Sequence, residues 1–301
     1  MTAMTDMTDM TDMTVPAAHA EKQLILCADD FAVHASASQG IAQLAAQGRL
    51  SATSAMVLSP RWAQDAALLR DMRDHLDVGL HLDWTSSFAL QRGHGLSLPR
   101  AMWRSLLGGF DPVTARVVIE QQLDAFEAQW QAPPDFVDGH QHVQQFAGIR
   151  QALVAALHSR YGTQAQRPYL RISRAPAALA DTKSRVIAAL GASPLEALAR
   201  QAQLPTAAAL LGIYDFTGDE ARYAGLMRDW LQAAPPGSLL MCHPARALPT
   251  PGYADAPDAI GAARTREFAY LGSAAFAADL ARARVTLARG KTIFSNFGSP
   301  T

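Results

Sequence analysis

Only two cysteines occur in the 301 residues, Cys27 and Cys242, and both lie inside apolar runs. That scarcity excludes a disulfide framework and a zinc knuckle. It marks the pair as small buried hydrophobes in strands, and a reducing, cytoplasmic location fits. Neither sign of charge dominates: 26 Lys and Arg stand against 27 Asp and Glu, a formal net charge of -1. Nucleic acid and anionic membranes are therefore not expected partners. No run of eighteen apolar residues is present, so no transmembrane segment is expected. No G-x-G-x-x-G follows the first apolar run and no P-loop occurs, which leaves nucleotide binding without support.

The opening stretch, MTAMTDMTDMTDMTVPAAHA, has neither a basic n-region nor an apolar h-region, which argues against a secretory signal. Its Met-Thr-Asp repeat has no means of building a core. We expect residues 1–20 to be a disordered tail and 21–301 a single domain. At 49% hydrophobic, that length can bury a large core.

Beyond the tail, short apolar runs alternate with helical patterns. Strands are expected at 23–28, 53–58, 77–82, 136–139, 169–172, 238–242 and 285–287. Between them, helical spacing and breakers predict helices at 36–47, 61–73, 112–130, 147–160, 219–233 and 265–283. The Ala-rich stretch 176–211 reads as an irregular helical insertion, and the polar stretch 84–99 as a binding loop. Such alternation implies parallel strands with βαβ crossovers. About seven strands in this length fit an α/β fold of the irregular (β/α) barrel type, with an open doubly wound sheet as the alternative.

In such barrels the working residues gather at the carboxyl ends of the strands. Four expected strands end in polar residues: Asp29-Asp30, His81, Asp138-Gly-His140-Gln-His142 and Cys242-His243-Pro244. Each alone has a plain explanation, such as a helix N-cap for Asp-Asp or a turn for His-Pro. Packing gives no reason for all four to fall at equivalent ends of different strands. Side-chain alternation puts Gly79 and His81 on one face, so the imidazole can enter the barrel mouth with space left beneath it by Gly79. A carboxylate and two imidazoles from three strands would form an N₂O site with open positions, as a catalytic metal requires.

The blocks Ala28-Asp-Asp-Phe31, Gly79-Leu-His-Leu82, Asp138-Gly-His-Gln-His-Val143 and Met241-Cys-His-Pro244, in this order, resemble the YdjC-like carbohydrate deacetylases. Smaller echoes are Leu50-Ser-Ala-Thr-Ser-Ala-Met56 and Arg266-Glu267, and the likeness covers roughly residues 23–296. The resemblance implies a barrel related to polysaccharide deacetylases, one divalent cation (magnesium by family), and removal of an acetyl group from an amino sugar or acetylated glycan. Carried over by position, it implies Asp30, His81 and His140 as metal ligands, Asp29 as general base and His243 as general acid. Two departures stand out. Ala32 replaces a frequent Gly, implying a turn that either needs no positive φ or tolerates strain. Gln144 replaces the third His of the family's His-x-His-Val-His run.

Beside that resemblance, the donor set itself suits zinc or another transition ion. His142 and Asp138 are expected to orient ligands or substrate. Arg171 is expected either to touch a polar substrate or to form a surface salt bridge. Trp84, Phe88 and Trp103 are candidates for stacking on a sugar, with core packing as the competing role, and His34 and His94 for lining the mouth. The partners implied are a small-molecule or oligosaccharide substrate, with a homodimer compatible. Two other functions stay open: a metal-dependent hydrolase of a non-sugar amide or ester, and a catalytically silent sugar-binding barrel.

Overall fold

The apolar run at 24–28 forms the middle of the central strand, β1 (Lys22–Phe31). The computed structural model describes residues 21–164, 167–247 and 258–295; the expected tail at 1–20 lies outside them. Around β1 stand β2 (Ala52–Ala55), β3 (Asp77–Leu82), β4 (Phe136–Gly139), β5 (Tyr169–Leu170), β6 (Leu210–Leu211), β7 (Ser238–Cys242) and β8 (Val285–Leu287). The order is β5-β4-β3-β2-β1-β7-β6, with β8 paired to the start of β1, and every ladder is parallel. One parallel bridge, Leu170 to Thr206, links β5 to the approach of β6. The Leu170 N–H donates to Pro205 O at 2.8 Å and the Ala207 N–H to Leu170 O at 3.1 Å. The sheet thereby curls into the irregular barrel expected.

Residue alternation sorts the strands into two faces. Inward-facing Ile25, Cys27, Ala52, Phe136, Tyr169, Leu239 and Met241 form a compact apolar plug. Outward-facing Leu24, Leu26, Val78, Leu80, Leu82 and Val137 belong to a larger cluster shared with the helical shell. Both cysteines are buried and free, as their strand positions implied. The shell comprises α1 (Ala35–Ala46), α2 (Trp62–Asp65), α3 (Ser87–Gln91), α4 (Leu98–Leu106), α5 (Pro112–Trp130) and α6 (Ile149–Tyr161). It continues through α7 (Thr182–Ala189), α8 (Ala192–Gln201), α9 (Glu220–Ala233), α10 (Gly261–Leu271), α11 (Ala274–Ala283) and α12 (Gly290–Ile293). No helix among the described residues is long and apolar enough to cross a membrane.

Several boundaries depart from the sequence pattern for identifiable reasons. The helix expected at 265–283 is two, broken at Gly272-Ser273, where Ser273 Oγ accepts from the Phe276 N–H and starts α11. The stretch 176–211 carries α7 and α8 but closes on β6, whose two residues are too short to show a period of their own. The polar stretch 84–99 is partly helical, because Ser86 Oγ caps α3 by accepting from the Phe88 and Ala89 N–H groups.

Gly79 does not leave an open space beneath His81. A Cβ at Gly79 would lie 2.6 Å from carbons of the Phe136 ring, which itself stacks on Tyr169 at 5.0 Å. The missing side chain makes room for that ring. Gly79→Ala is therefore expected to lower stability by about 1–3 kcal/mol through overpacking, read as a drop in the urea midpoint. An unchanged midpoint would show that the plug yields.

Candidate metal centre

At the carboxyl rim, simple alternation would send Asp29 inward and Asp30 outward. The backbone prevents this. Asp30 adopts φ 66°, and the β1–β2 register shifts between Ala28 and Phe31. Such a left-handed residue in an irregular strand end re-aims its side chain, so both carboxylates reach the mouth. Ala32 follows at φ 70°. The turn thus uses a positive φ without the glycine that suits it, and the strain is tolerated. The Ala32 peptide is pinned on both sides: its N–H donates to Ser38 Oγ at 3.1 Å, and its carbonyl accepts from Ser59 Oγ at 2.7 Å.

Asp30 Oδ1 is the meeting point. His140 Nδ1 lies 3.1 Å from it and His81 Nε2 3.4 Å. Donor atoms of Asp30, His81 and His140 all fall within 4.8 Å of one another. His81 is oriented from behind: its Nδ1 lies 2.6 Å from Asp138 Oδ1 and 3.0 Å from Ser54 Oγ. A carboxylate on one imidazole nitrogen aims the other's lone pair at the site, the arrangement that supports metal-binding histidines. Arg264 Nη2 donates to Asp30 Oδ2 at 2.7 Å, leaving Oδ1 toward the imidazoles, and its Nε donates to Asp258 Oδ2 at 2.8 Å.

Deeper in the barrel, Arg171 is fully buried. Its Nη1 donates to both oxygens of Asp29 at 2.8 and 2.9 Å, and its Nη2 lies 2.7 Å from Asp138 Oδ2. Asp29 in turn lies 3.9 Å from His243 Nε2. Cys27, Asp29 and Asp138 also cluster, but the Arg171 guanidinium already pairs with both carboxylates there.

Burial alone would raise the Asp29 carboxyl, yet Arg171, then His81 and His243, outweigh it and hold the group at about 2. Asp30 is likewise pulled well below the usual range, as Arg264 and His140 overcome desolvation. For His81, burial favours the neutral ring, but the field of Asp138, with Asp30 and Asp29, lifts the imidazole to about 10. Three carboxylates, Asp29, Asp30 and Asp138, face two guanidiniums. The field that retains a proton on His81 is one that attracts a cation. His142 goes the other way, down to about 3 through burial and the nearby Arg171.

The residues singled out in the sequence are thus brought together with specific roles for their neighbours. Asp138 Oδ1 lies against His81 Nδ1 at 2.6 Å. Arg171 is neither a surface ion pair nor open to substrate; it is the buried cation between two acids. His140 does not continue β4, since the strand ends at Gly139 and a 3₁₀ turn begins, with Gln141 and His142 at positive φ. His142 Nδ1 meets Ser173 Oγ at 3.0 Å. Gln144 is buried behind the site, donating through Nε2 to Arg171 O at 3.1 Å and Ser173 Oγ at 3.0 Å. Trp84 is core and Trp103 exposed, whereas Phe88 and His34 line the cavity. Arg264 carries no signal in the sequence, and Glu267 only the minor Arg266-Glu267 echo. They lie three apart on α10 and both turn inward, a spacing that an Ala-rich helix makes easy to overlook. Glu267 Oε2 accepts from the His243 N–H at 2.5 Å and Oε1 from the Tyr214 hydroxyl at 2.5 Å. Asp29, Asp30, His81, His140, His142, His243 and Arg264 line the floor of a cavity of about 990 Å³.

In this parallel-stranded barrel one carboxylate and two imidazoles converge at the carboxyl rim, a donor set that could hold a metal ion. The chain belongs to the YdjC-like protein family, whose model matches residues 23–282. It is 30% identical over 139 residues to a chitooligosaccharide deacetylase of Proteus mirabilis (strain HI4320), covering 42% of this chain and 51% of that one. Against a carbohydrate deacetylase of Mus musculus it is 28% identical over 167 residues, covering 52% and 51%. The chain spans about half the length of these curated relatives. A crystal structure from Enterococcus faecalis V583, described as a cellobiose-phosphate cleavage protein, shares the fold with TM-score 0.66 and 19% identity over 91% of this chain and 99% of that one. The Xyl-CE4 domain of a xylanase from the hindgut metagenome of Trinervitermes trinervoides shares it with TM-score 0.51 and 10% identity, covering 93% of each.

Two stability outcomes arise from this geometry. Arg171→Met leaves two carboxylates buried without their cation and should cost about 3–5 kcal/mol, measured by urea denaturation; a loss below one kcal/mol (order of magnitude) would mean water reaches them. Ala32→Gly should raise stability by about 0.5–1 kcal/mol, read as a higher urea midpoint, because relief of the left-handed strain exceeds the added chain entropy.

Proposed function

We propose that this chain removes the N-acetyl group of an amino sugar or acetylated glycan, with one divalent cation held by Asp30, His81 and His140. The observation that carries the proposal is the convergence of Asp30 Oδ1, His81 Nε2 and His140 Nδ1 at the floor of a large cavity, beside Asp29 and His243. Two imidazoles with a carboxylate favour zinc or another transition ion over magnesium. The negative balance of the cluster and the fixed tautomer of His81 fit such an ion. When bound, it supplies Lewis acidity toward the acetyl oxygen and acidifies the attacking water.

The protein's own groups handle the protons. Asp29, kept ionised by Arg171, accepts one at Oδ2 from the water that attacks the acetyl carbon. His243 Nε2 gives one to the departing amine nitrogen as the C–N bond breaks. The proton on Asp29 then passes across the 3.9 Å gap to His243, which restores both groups and leaves acetate and free amine. Weak basicity suits Asp29 to this relay, because it does not retain what it receives. Glu267, holding the His243 backbone, keeps the ring over Asp29. Two free, buried thiols support placing this reaction in a reducing compartment such as the cytoplasm. The names of the curated relatives, deacetylases of chitooligosaccharide and carbohydrate, support the sugar substrate.

The test is acetate release from N-acetylated sugars by metal-stripped and metal-reloaded protein. Activity that survives exhaustive chelation would overturn the metal role. Asp30→Asn and His81→Ala should lose bound metal by elemental analysis. His243→Ala should keep the metal and lose turnover by at least ~10²-fold, in line with general acid–base contributions. Full turnover in that variant would remove His243 from the mechanism.

A further inference from the structure

His142 takes no part in the proton steps, yet its backbone is held in a conformation that few side chains adopt unaided. Gln141 and His142 stand at φ 53° and 64°, two consecutive left-handed residues without glycine. Strain of this kind persists only where the surroundings over-determine it, and it collects at functional sites. Here it follows directly on β4 and sets the His142 ring in the cavity lining, within the fields of Asp29, His81 and His243. The ring is not placed as a metal ligand: the close donor cluster holds Asp30, His81 and His140, and His142 is outside it.

A chain of hydrogen bonds behind the ring decides which nitrogen carries the hydrogen. Gln144 and Ser173 are both fully buried. Gln144 Nε2 lies 3.1 Å from the Arg171 carbonyl oxygen, which can only accept, so the amide nitrogen must face that way. Its second hydrogen goes to Ser173 Oγ at 3.0 Å. Ser173 therefore receives from Gln144, and its own hydrogen needs an acceptor, because buried hydroxyls are rarely left unpaired. Among the described residues that acceptor is His142 Nδ1, 3.0 Å away. A neutral imidazole that accepts at Nδ1 carries its hydrogen at Nε2. That nitrogen has no partner among the described residues and is not sealed in the interior, so the N–H opens on the cavity. A histidine at 144, as in the family's run, is able to donate or accept and would leave the direction of this relay unset. The glutamine nitrogen can only donate.

We propose that Gln144 and Ser173 are positioning residues that fix His142 as an Nε2–H donor to the carbonyl oxygen of the acetyl group, where negative charge gathers as water adds to the carbon. The identity of that carbonyl rests on the deacetylase reading; the relay does not. No proton is transferred in this contact. The N–H is shared with the oxygen while it is charged and stays with the ring when acetate leaves, so Asp29 and His243 keep their proton roles. A preorganised donor acts on the transition state more than on bound substrate, so its loss falls on kcat and not on KM.

Two measurements on the full chain test the proposal. In the zinc-loaded protein at neutral pH, nitrogen-15 NMR of labelled histidine should show His142 as the neutral Nε2–H tautomer, its signals assigned by their loss in His142→Phe. In Ser173→Ala, where Nδ1 loses its donor, the same signals should move toward a mixture of tautomers. Acetate release by metal-reloaded protein should fall about 10²-fold in kcat for His142→Phe and about tenfold for Ser173→Ala, with KM within about twofold and metal content unchanged in both. An Nδ1–H or doubly protonated ring in the unaltered chain would overturn the relay whatever the activity. A His142→Phe enzyme that keeps its kcat, or loses only affinity for substrate, would overturn the contact with the acetyl oxygen and leave deacetylation standing. Should His142→Phe fail to fold, Ser173→Ala decides by the same two readouts: unmoved signals and an unchanged kcat refute the relay. An unaltered chain that releases no acetate with any metal would instead bring down the deacetylase reading and the acetyl contact with it, while the NMR result still judges the relay.

Discussion

One guanidinium holds the site together. Arg171 lies fully inside the barrel, between Asp29 and Asp138, both of which are buried. A buried carboxylate without a partner costs several kcal/mol, and a buried arginine without acids costs no less, so each part is tolerable only because of the others. The remaining contacts depend on this pairing. Asp138, held by Arg171, holds the His81 ring at Nδ1, which leaves Nε2 toward Asp30. Asp29, fixed by the same cation, faces His243.

The barrel is built to carry that charged layer. Below it the interior is filled by Phe136 stacked on Tyr169, with Gly79 giving way to the ring. A dry, packed plug removes the water that would otherwise loosen the ion pairs above it. At the rim the backbone does the remaining work. The left-handed turn at Asp30 and Ala32 brings two successive carboxylates to one side of a strand that would otherwise separate them. The local strain at Ala32 is held by Ser38 and Ser59 from neighbouring segments, which makes the rim conformation a property of the assembled barrel and not of its own sequence.

Above the charged floor the βα segments take a different character. α4 and α7 present aliphatic side chains to the cavity, near Arg61 and Lys183, which are hydrogen-bonded within the protein. The cavity thus changes from a charged floor to a more apolar wall. Glu267 anchors the His243 backbone and the Tyr214 hydroxyl and so ties the strand end of β7 to α10.

Strand and helix positions were largely readable along the chain, because burial on a parallel strand leaves an apolar run and burial on one helix face leaves a 3.6-residue period. The polar residues Asp29, Asp30, His81, Asp138, His140 and His243 were legible for the opposite reason: they interrupt such runs at strand ends, where packing has no use for them. β6 was not legible, since two residues carry no period, and neither was the break at Gly272-Ser273. The burial of Arg171 was equally hidden, because sequence cannot report which side chains surround a strand end. The inward turn of Arg264 and Glu267 was concealed within an ordinary helical pattern. The φ of Asp30, the Phe136 ring against Gly79 and the apolar walls over the floor were decided only when distant segments met, for each depends on atoms that lie dozens of residues away along the chain.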